Sequence, residues 1–458
     1  MKLKEFDFKL PRDEVRKKKI IFTSISATAL ILIITIASTF AYYQSIENQN
    51  PINMSVGTFS SGDIIFAVTI DGVPSNNFPA KGEGYISSSV MCDKGASGKW
   101  NNSEWTIAVS NLTESKTTCN IAFINEVGTL TYKIKQQGGG ASAIEVKGNP
   151  AFNVVPTTLT SGIYAAEDEY GTSYYYRGER NSLNNNLIFA GFQWKIVRIN
   201  GDSSVRIIYN GVCSNNECTI NSTGAPTQIK NLAWNSTRSN DAKYVGYMYG
   251  GANGNSSASK VQAQINETSA NVKIELENWY TTNIEEKGYD SYISDTLFCN
   301  DRRTRGEVGG SDGVNVGYGT NATYYAAYYR LYTNKTPTLI CGNKNDKFTI
   351  NDIINGNGIL EKPIGLISAD EVALAGGVAS TSNNSYYLYT NQIFWSISPS
   401  ESGGGRAAIV WLVSSNGSLY RYAAVDFPYG LRSVLNLKSG TQVTGDGSVS
   451  NPFKIIWN

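Results

Sequence analysis

Phe192-Gln193-Trp194-Lys195-Ile196-Val197-Arg198-Ile199, then Asn200-Gly201-Asp202, then Val205-Arg206-Ile207-Ile208-Tyr209 is the stretch on which a reading of this chain turns. Both arms are rich in β-branched and aromatic residues, and the Asn-Gly step between them readily accepts positive φ, so the segment reads as a β-hairpin. Period-two alternation places Trp194 and Ile196 on the buried face. A second hairpin of the same grammar follows at Ile409-Val410-Trp411-Leu412-Val413, Asn416-Gly417 and Ser418-Leu419-Tyr420-Arg421-Tyr422. Gly430 to Leu437 reads as a late core strand.

Helical signals are sparser. Val261, Ile265, Val272, Leu276 and Trp279 fall near helical spacing and predict one amphipathic helix between about Ser259 and Glu286. Ser368, with Glu371 three residues later, is a capping box and predicts a short helix over Ala369 to Ala375. Upstream, Gln136-Gln137-Gly138-Gly139-Gly140-Ala141-Ser142 has linker composition. It separates these elements, in a unit spanning 150–458, from a smaller one over 56–135, with 136–149 as the linker. In the smaller unit Ile64 to Ile70, Trp105 to Val109, Asn120 to Phe123 and Leu130 to Ile134 read as short strands of an Ig-like β-sandwich.

The N-terminus has a different character. Residues 1–19 form a basic tail with Arg12, Arg16, Lys17, Lys18 and Lys19, and a charge-free run extends from Ile20 to Tyr43. At about 1.5 Å rise per residue such a run spans the roughly 30 Å hydrocarbon core. The expectation is a single-pass membrane helix over 20–43, N-terminus cytoplasmic by the positive-inside bias, followed by a spacer over 44–55 and an extracellular remainder at the cell membrane. Thr39-Phe40-Ala41 also has the small-residue spacing of a signal-peptidase site, so cleavage after Ala41 stays open.

Lys plus Arg number 39 and Asp plus Glu 38, a balance that gives no long-range attraction to nucleic acid. Histidine is absent, which excludes Ser-His-Asp and Cys-His catalysis and His-ligated zinc. No cofactor and no metal are expected. The six cysteines all lie beyond the apolar run, and an even set in an oxidising compartment points to disulfides. Closeness in sequence favours Cys92 with Cys119, Cys213 with Cys218, and Cys299 with Cys341. The two longer loops would each contribute between about 3 and 4.7 kcal/mol in the loop-entropy account.

Phe189-Ala190-Gly191-Phe192-Gln193-Trp194, Asn278-Trp279-Tyr280, Ile364-Gly365-Leu366-Ile367-Ser368, Trp395-Ser396-Ile397-Ser398-Pro399 and Gly430-Leu431-Arg432-Ser433-Val434 occur in an order that resembles exported surface proteins of Gram-positive bacteria. The C-terminal part also resembles the C-type-lectin-like fold of formylglycine-generating enzymes (sulfatase-modifying factors) and of variable ligand-binding proteins of diversity-generating retroelements. The resemblance implies a mixed α/β scaffold with antiparallel hairpins presenting a binding face. It does not carry over the enzyme, whose cysteine pair has no counterpart after Cys341, nor calcium-dependent sugar binding, whose Glu-Pro-Asn and Trp-Asn-Asp motifs are absent.

The fold class expected is thus α+β: a transmembrane helix, a small β-sandwich and a C-type-lectin-like domain. Aromatic residues with a polar tip offer large contact area at low entropic cost, and they crowd the last stretch of the chain. Trp395 and Trp411 fit the core better. The candidate ligand face, on the Asn416-Gly417 hairpin and a loop from Ser400 to Arg406, comprises Arg406, Tyr420, Arg421, Tyr422, Asp426 and Tyr429. The expected role is non-catalytic adhesion or recognition of an extracellular glycan or protein, the membrane being contacted through the N-terminal helix. A self-associating envelope component and a carbohydrate-active enzyme are the alternatives.

Overall fold

A computed structural model describes residues 41–44, 64–102, 104–112, 116–137, 148–214, 218–235 and 240–457. Its chain divides into two compact units, one built from residues up to 122 and one formed mainly by Phe123–Asn458.

In the smaller unit, a three-stranded sheet runs in the order Ala41–Gln44, Thr106–Ser110, Ser97–Asn101, and a four-stranded sheet in the order Val73–Ser75, Ile64–Ile70, Thr117–Asn125, Tyr85–Cys92. Ile107, Val109, Cys119 and Ile121 are buried at alternate positions, as period two requires. Phe78 stacks on Trp100 at 5.5 Å, and Trp100 meets Trp105 edge-on at 5.3 Å. The Trp105 indole N–H donates to Pro79 O at 3.0 Å.

The larger unit rests on two sheets. An eight-stranded sheet has the order Val434–Leu437, Val205–Val212, Phe192–Ile199, Asn186–Phe189, Phe453–Ile455, Val443–Thr444, with the hairpin Gly162–Asp168/Gly171–Arg177 joined to Phe192–Ile199. A six-stranded sheet has the order Lys230–Ala233, Pro428–Leu431, Phe394–Gly403, Arg406–Val413, Leu419–Ala424, with Thr323–Tyr324 alongside Phe394–Gly403. One continuous apolar core includes Trp194, Trp234, Trp395 and Trp411, all fully buried.

The expected α+β fold class is therefore corrected. Among the described residues sheets dominate, and helices are few and short, the longest α-helix being Asn271–Tyr280. Among the described residues no helix is long and apolar enough to cross a membrane. The anticipated span over 20–43 lies outside the described residues up to residue 40. Its last three residues instead belong to strand Ala41–Gln44, antiparallel to Thr106–Ser110 with Tyr42 opposite Ala108. An Ala-Tyr-Tyr-Gln segment has ample β-propensity once a partner strand is at hand.

Several local expectations are met. The first hairpin spans Phe192–Ile199 and Val205–Val212 in antiparallel register, and Trp194 and Ile196 are fully buried. Positive φ falls on Ser203 rather than on Gly201. Glycine at 201 answers to crowding, since a Cβ there would lie 2.5 Å from the backbone of Tyr170 and Gly171. The capping box forms, with Ser368 Oγ accepting from the Glu371 N–H at 3.0 Å and Glu371 accepting from the Ser368 N–H at 2.9 Å. All three disulfides are as paired from sequence.

Others are not. Leu130–Gln137 is a helix rather than a strand, because Leu130 and Ile134, one turn apart, both enter the large core. The single helix expected over 259–286 is broken into Lys260–Ala263 and Asn271–Tyr280, separated by strand Thr268–Ser269, which pairs with Met248–Tyr249. The late strand is also split: Pro428–Leu431 lies in the six-stranded sheet and Val434–Leu437 in the eight-stranded one. Arg432, at the crossing, is fully buried and donates to Tyr209 O, Leu388 O and Asn210 Oδ1 at 2.9–3.0 Å.

Candidate functional site

Strand Leu419–Ala424 is the outer strand of the six-stranded sheet. Its alternation sends Leu419 and Ala423 into the core, while Tyr420 and Tyr422, 42% and 41% exposed, face outward with ring centroids 5.8 Å apart. Arg421 lies between them in sequence and organises the surface around itself. Its guanidinium sits 3.8 Å from the Tyr422 ring centroid, 4.2 Å from that of Tyr332 and 5.1 Å from that of Tyr328.

Tyr328 and Tyr332 come from a helical segment, Ala326–Tyr328 continued by Tyr329–Asn334, that packs beside the sheet. With Tyr324 just before it they form a ladder, the successive rings 4.7 and 5.3 Å apart. Arg305 stands over Tyr324 at 4.7 Å and Arg406 over Tyr422 at 6.0 Å. Glu401, itself buried, accepts from Arg406 at 3.0 Å and pairs with Arg421 at 3.7 Å. Each of these cation–aromatic contacts is worth about 0.5–1 kcal/mol at an exposed site, and they fix side chains that would otherwise be free to rotate.

The expected ligand residues are thus brought together in large part. Arg406, Tyr420, Arg421 and Tyr422 form one patch. Asp426 and Tyr429 adjoin it through Tyr420: burial first, then Tyr420 and Asp426 nearby, raise the Tyr429 hydroxyl above its ordinary pKa. Tyr429 also packs on the core through Trp395, at 5.0 Å edge-on, and on Phe427, which is half exposed. The segment 400–406 is mostly not a loop. Strand Phe394–Gly403 runs on to a turn at Gly404-Gly405, and all three glycines from 403 to 405 have positive φ. Sequence reading missed Arg305, Tyr324, Tyr328 and Tyr332. The last three recur every fourth residue, a one-face helical stripe that was legible but apolar at one end only.

A second polar constellation lies inside the larger unit. Arg198 pairs with Asp168 and, at 3.1 Å, with Glu371, which also takes Arg206 at 2.9 Å. Arg330 pairs with Asp301 and Asp370, both at 2.8 Å, and Asp301 also takes Arg303 at 2.8 Å. Burial alone would raise Glu371, but Arg206 and Arg198 and the Ser368 N–H hold it down to about 2. Burial likewise opposes ionisation of Asp301, and Arg303 and Arg330 prevail and lower it. A small cavity of about 20 Å³ among Arg198, Arg206, Asp301, Arg330, Asp370 and Glu371 has room for one water molecule. Four arginines balance four carboxylates here, so this cluster is a structural core. Among the described residues no group of three or more carboxylates or thiols is arranged to hold a metal.

No protein-family model matches the chain, and neither the curated proteins nor the solved structures yield a match.

Proposed function

We propose that this chain is an exported recognition protein whose larger unit binds an acidic protein surface through the tyrosine–arginine face around Arg421. The observation that carries this reading is the triple stacking of Arg421 on Tyr328, Tyr332 and Tyr422. That packing places the Arg421 guanidinium over each ring, with the Arg421 side chain only 12% exposed and the Arg406 side chain 60% exposed. Sugar stacking needs open ring faces, whereas Tyr and Arg fixed in this way are the side chains that anchor protein–protein contacts. The face is net cationic: Arg305, Lys335, Arg406 and Arg421 gather there, and Glu401 is already engaged by two of them. The outer position of Leu419–Ala424 in its sheet also suits a protein partner. Three disulfides, with no free cysteine among the described residues, support a working place outside the reducing cytosol.

The test is capture from arrays of purified extracellular proteins and of glycans by the parent chain and by a Tyr420→Ala/Tyr422→Ala variant. Capture of acidic proteins, weakened at least about tenfold in the variant, supports the reading. Capture by the variant equal to the parent, capture of glycans alone, or self-association with no foreign partner contradicts it.

A further inference from the structure

A separate cavity of about 410 Å³ opens in the larger unit between Glu179, Arg180, Asn181, Asn221, Asn384, Ser385 and Tyr389. Its size is in the range of small-molecule sites, and polar side chains and the Tyr389 ring form a wall whose polar and apolar surfaces are about equal. What distinguishes it is the charge beneath. Lys195, 1% exposed, donates its ammonium to two amide oxygens, Asn186 Oδ1 and Asn221 Oδ1, and Asn221 is itself part of the cavity wall. Arg180 lines the cavity directly. It lies 5.3 Å from the Tyr389 ring centroid and donates through one terminal nitrogen to Tyr389 O at 3.0 Å. Arg432 lies close enough to act on Lys195 electrostatically.

Among the described residues none of Lys195, Arg180 and Arg432 has a carboxylate within salt-bridge distance. The one acid in the wall, Glu179, accepts from Thr158 Oγ1 at 2.5 Å. Burial first, then Arg180 and Arg432, press the Lys195 ammonium well below its ordinary pKa. Keeping that ammonium charged without a counter-charge is costly, and an anion held in the cavity would favour its charged form.

We propose that this cavity binds a small sugar acid, its carboxylate meeting Arg180 in the wall and favoured there by Lys195, which lies behind Asn221, and its hydroxyls met by Asn181, Asn384 and Ser385. Asn221 accepts from Lys195 and donates to Asn181 Oδ1 at 3.3 Å, and Ser385 Oγ donates to Asn383 Oδ1 at 3.0 Å, so the Asn384 amide, the Asn181 NH2 and the Ser385 oxygen lone pairs are the groups left to donate and accept toward ring hydroxyls. The carboxylate supplies the charge that the protein omits. This site shares no residue with the Arg421 face, so either assignment can fail alone.

The test is titration of the full chain with sodium glucuronate, glucose and inorganic phosphate, followed by calorimetry and by ligand-observed NMR. Saturable glucuronate binding at least about tenfold tighter than glucose and phosphate, weakened by a similar factor in Lys195→Met and in Arg180→Gln, is the expected result. Asn384→Ala, at an exposed position, guards against loss of folding in the buried variant and is expected to weaken binding several-fold. Glucose bound as tightly as glucuronate, phosphate bound more tightly than glucuronate, no binding at tens of millimolar, or affinity unchanged in all three variants would overturn the assignment.

Discussion

Lys195 and Arg198 stand three residues apart on one strand, both buried, and are treated in opposite ways. Arg198 meets Asp168 and Glu371, and its neighbour across the hairpin, Arg206, shares Glu371. Lys195 meets only amide oxygens and faces two further cations, under an open polar cavity. Paired interior charges over-determine the packing of the larger unit. A cation left without a counter-charge is hard to explain by stability, because burial of an uncompensated charge works against folding. The difference separates what holds this fold together from what the fold holds ready.

The comparison breaks most readily at Glu371. Replacing Glu371 with Gln would leave Arg198 with Asp168 and Arg206 without a carboxylate in contact among the described residues, and unfolding in denaturant should show a loss of about 3–5 kcal/mol. A loss below about 1 kcal/mol would mean that the network is not structural.

Acid sharpens the same point. Glu371 is held in the fold at about 2 against an ordinary 4.5, so its contribution is fully present above about pH 4.5 and is lost as pH falls through that window towards 2. The size is about 3 kcal/mol, and denaturant midpoints measured across the window should fall accordingly. In Glu371→Gln that part of the acid dependence should vanish.

The surface face should respond in binding, with a smaller loss of stability. Tyr420→Ala/Tyr422→Ala removes half-exposed rings and the two cation–aromatic contacts on Tyr422, and its unfolding free energy should fall by about 1–2 kcal/mol, less than in Glu371→Gln. Arg421→Ala should do more than either tyrosine to mobilise Tyr332 and Tyr328, which proton exchange or ring-resonance broadening would report.

Much of the scaffold was legible because it is locally encoded. The hairpin around Asn200-Gly201, the Ser368–Glu371 capping box and the pairing of neighbouring cysteines each depend on a few adjacent residues. The helix at Leu130–Gln137 was not, since five residues of mixed β-propensity cannot reveal that Leu130 and Ile134 share a core with Trp194. Nor was the break between 264 and 270, which exists because Thr268–Ser269 finds Met248–Tyr249. The ligand face was half legible: residues on one strand could be grouped, but Tyr328 and Tyr332 join it only through Arg421. Lys195 alternates with Trp194 and Ile196, so period two alone would put it on the outer face. In the fold both faces of that strand are covered, which period two does not reveal.

The most direct measurement is the denaturant unfolding of Lys195→Met beside the parent, each with and without sodium glucuronate. Without the sugar acid, Lys195→Met should cost clearly less than Glu371→Gln, because it removes two hydrogen bonds to amide oxygens and breaks no ion pair; glucuronate should then stabilise the parent and not the variant. A variant destabilised to the extent expected of Glu371→Gln, or one stabilised by glucuronate as much as the parent, would contradict the division between charges that build the fold and charges that await a ligand.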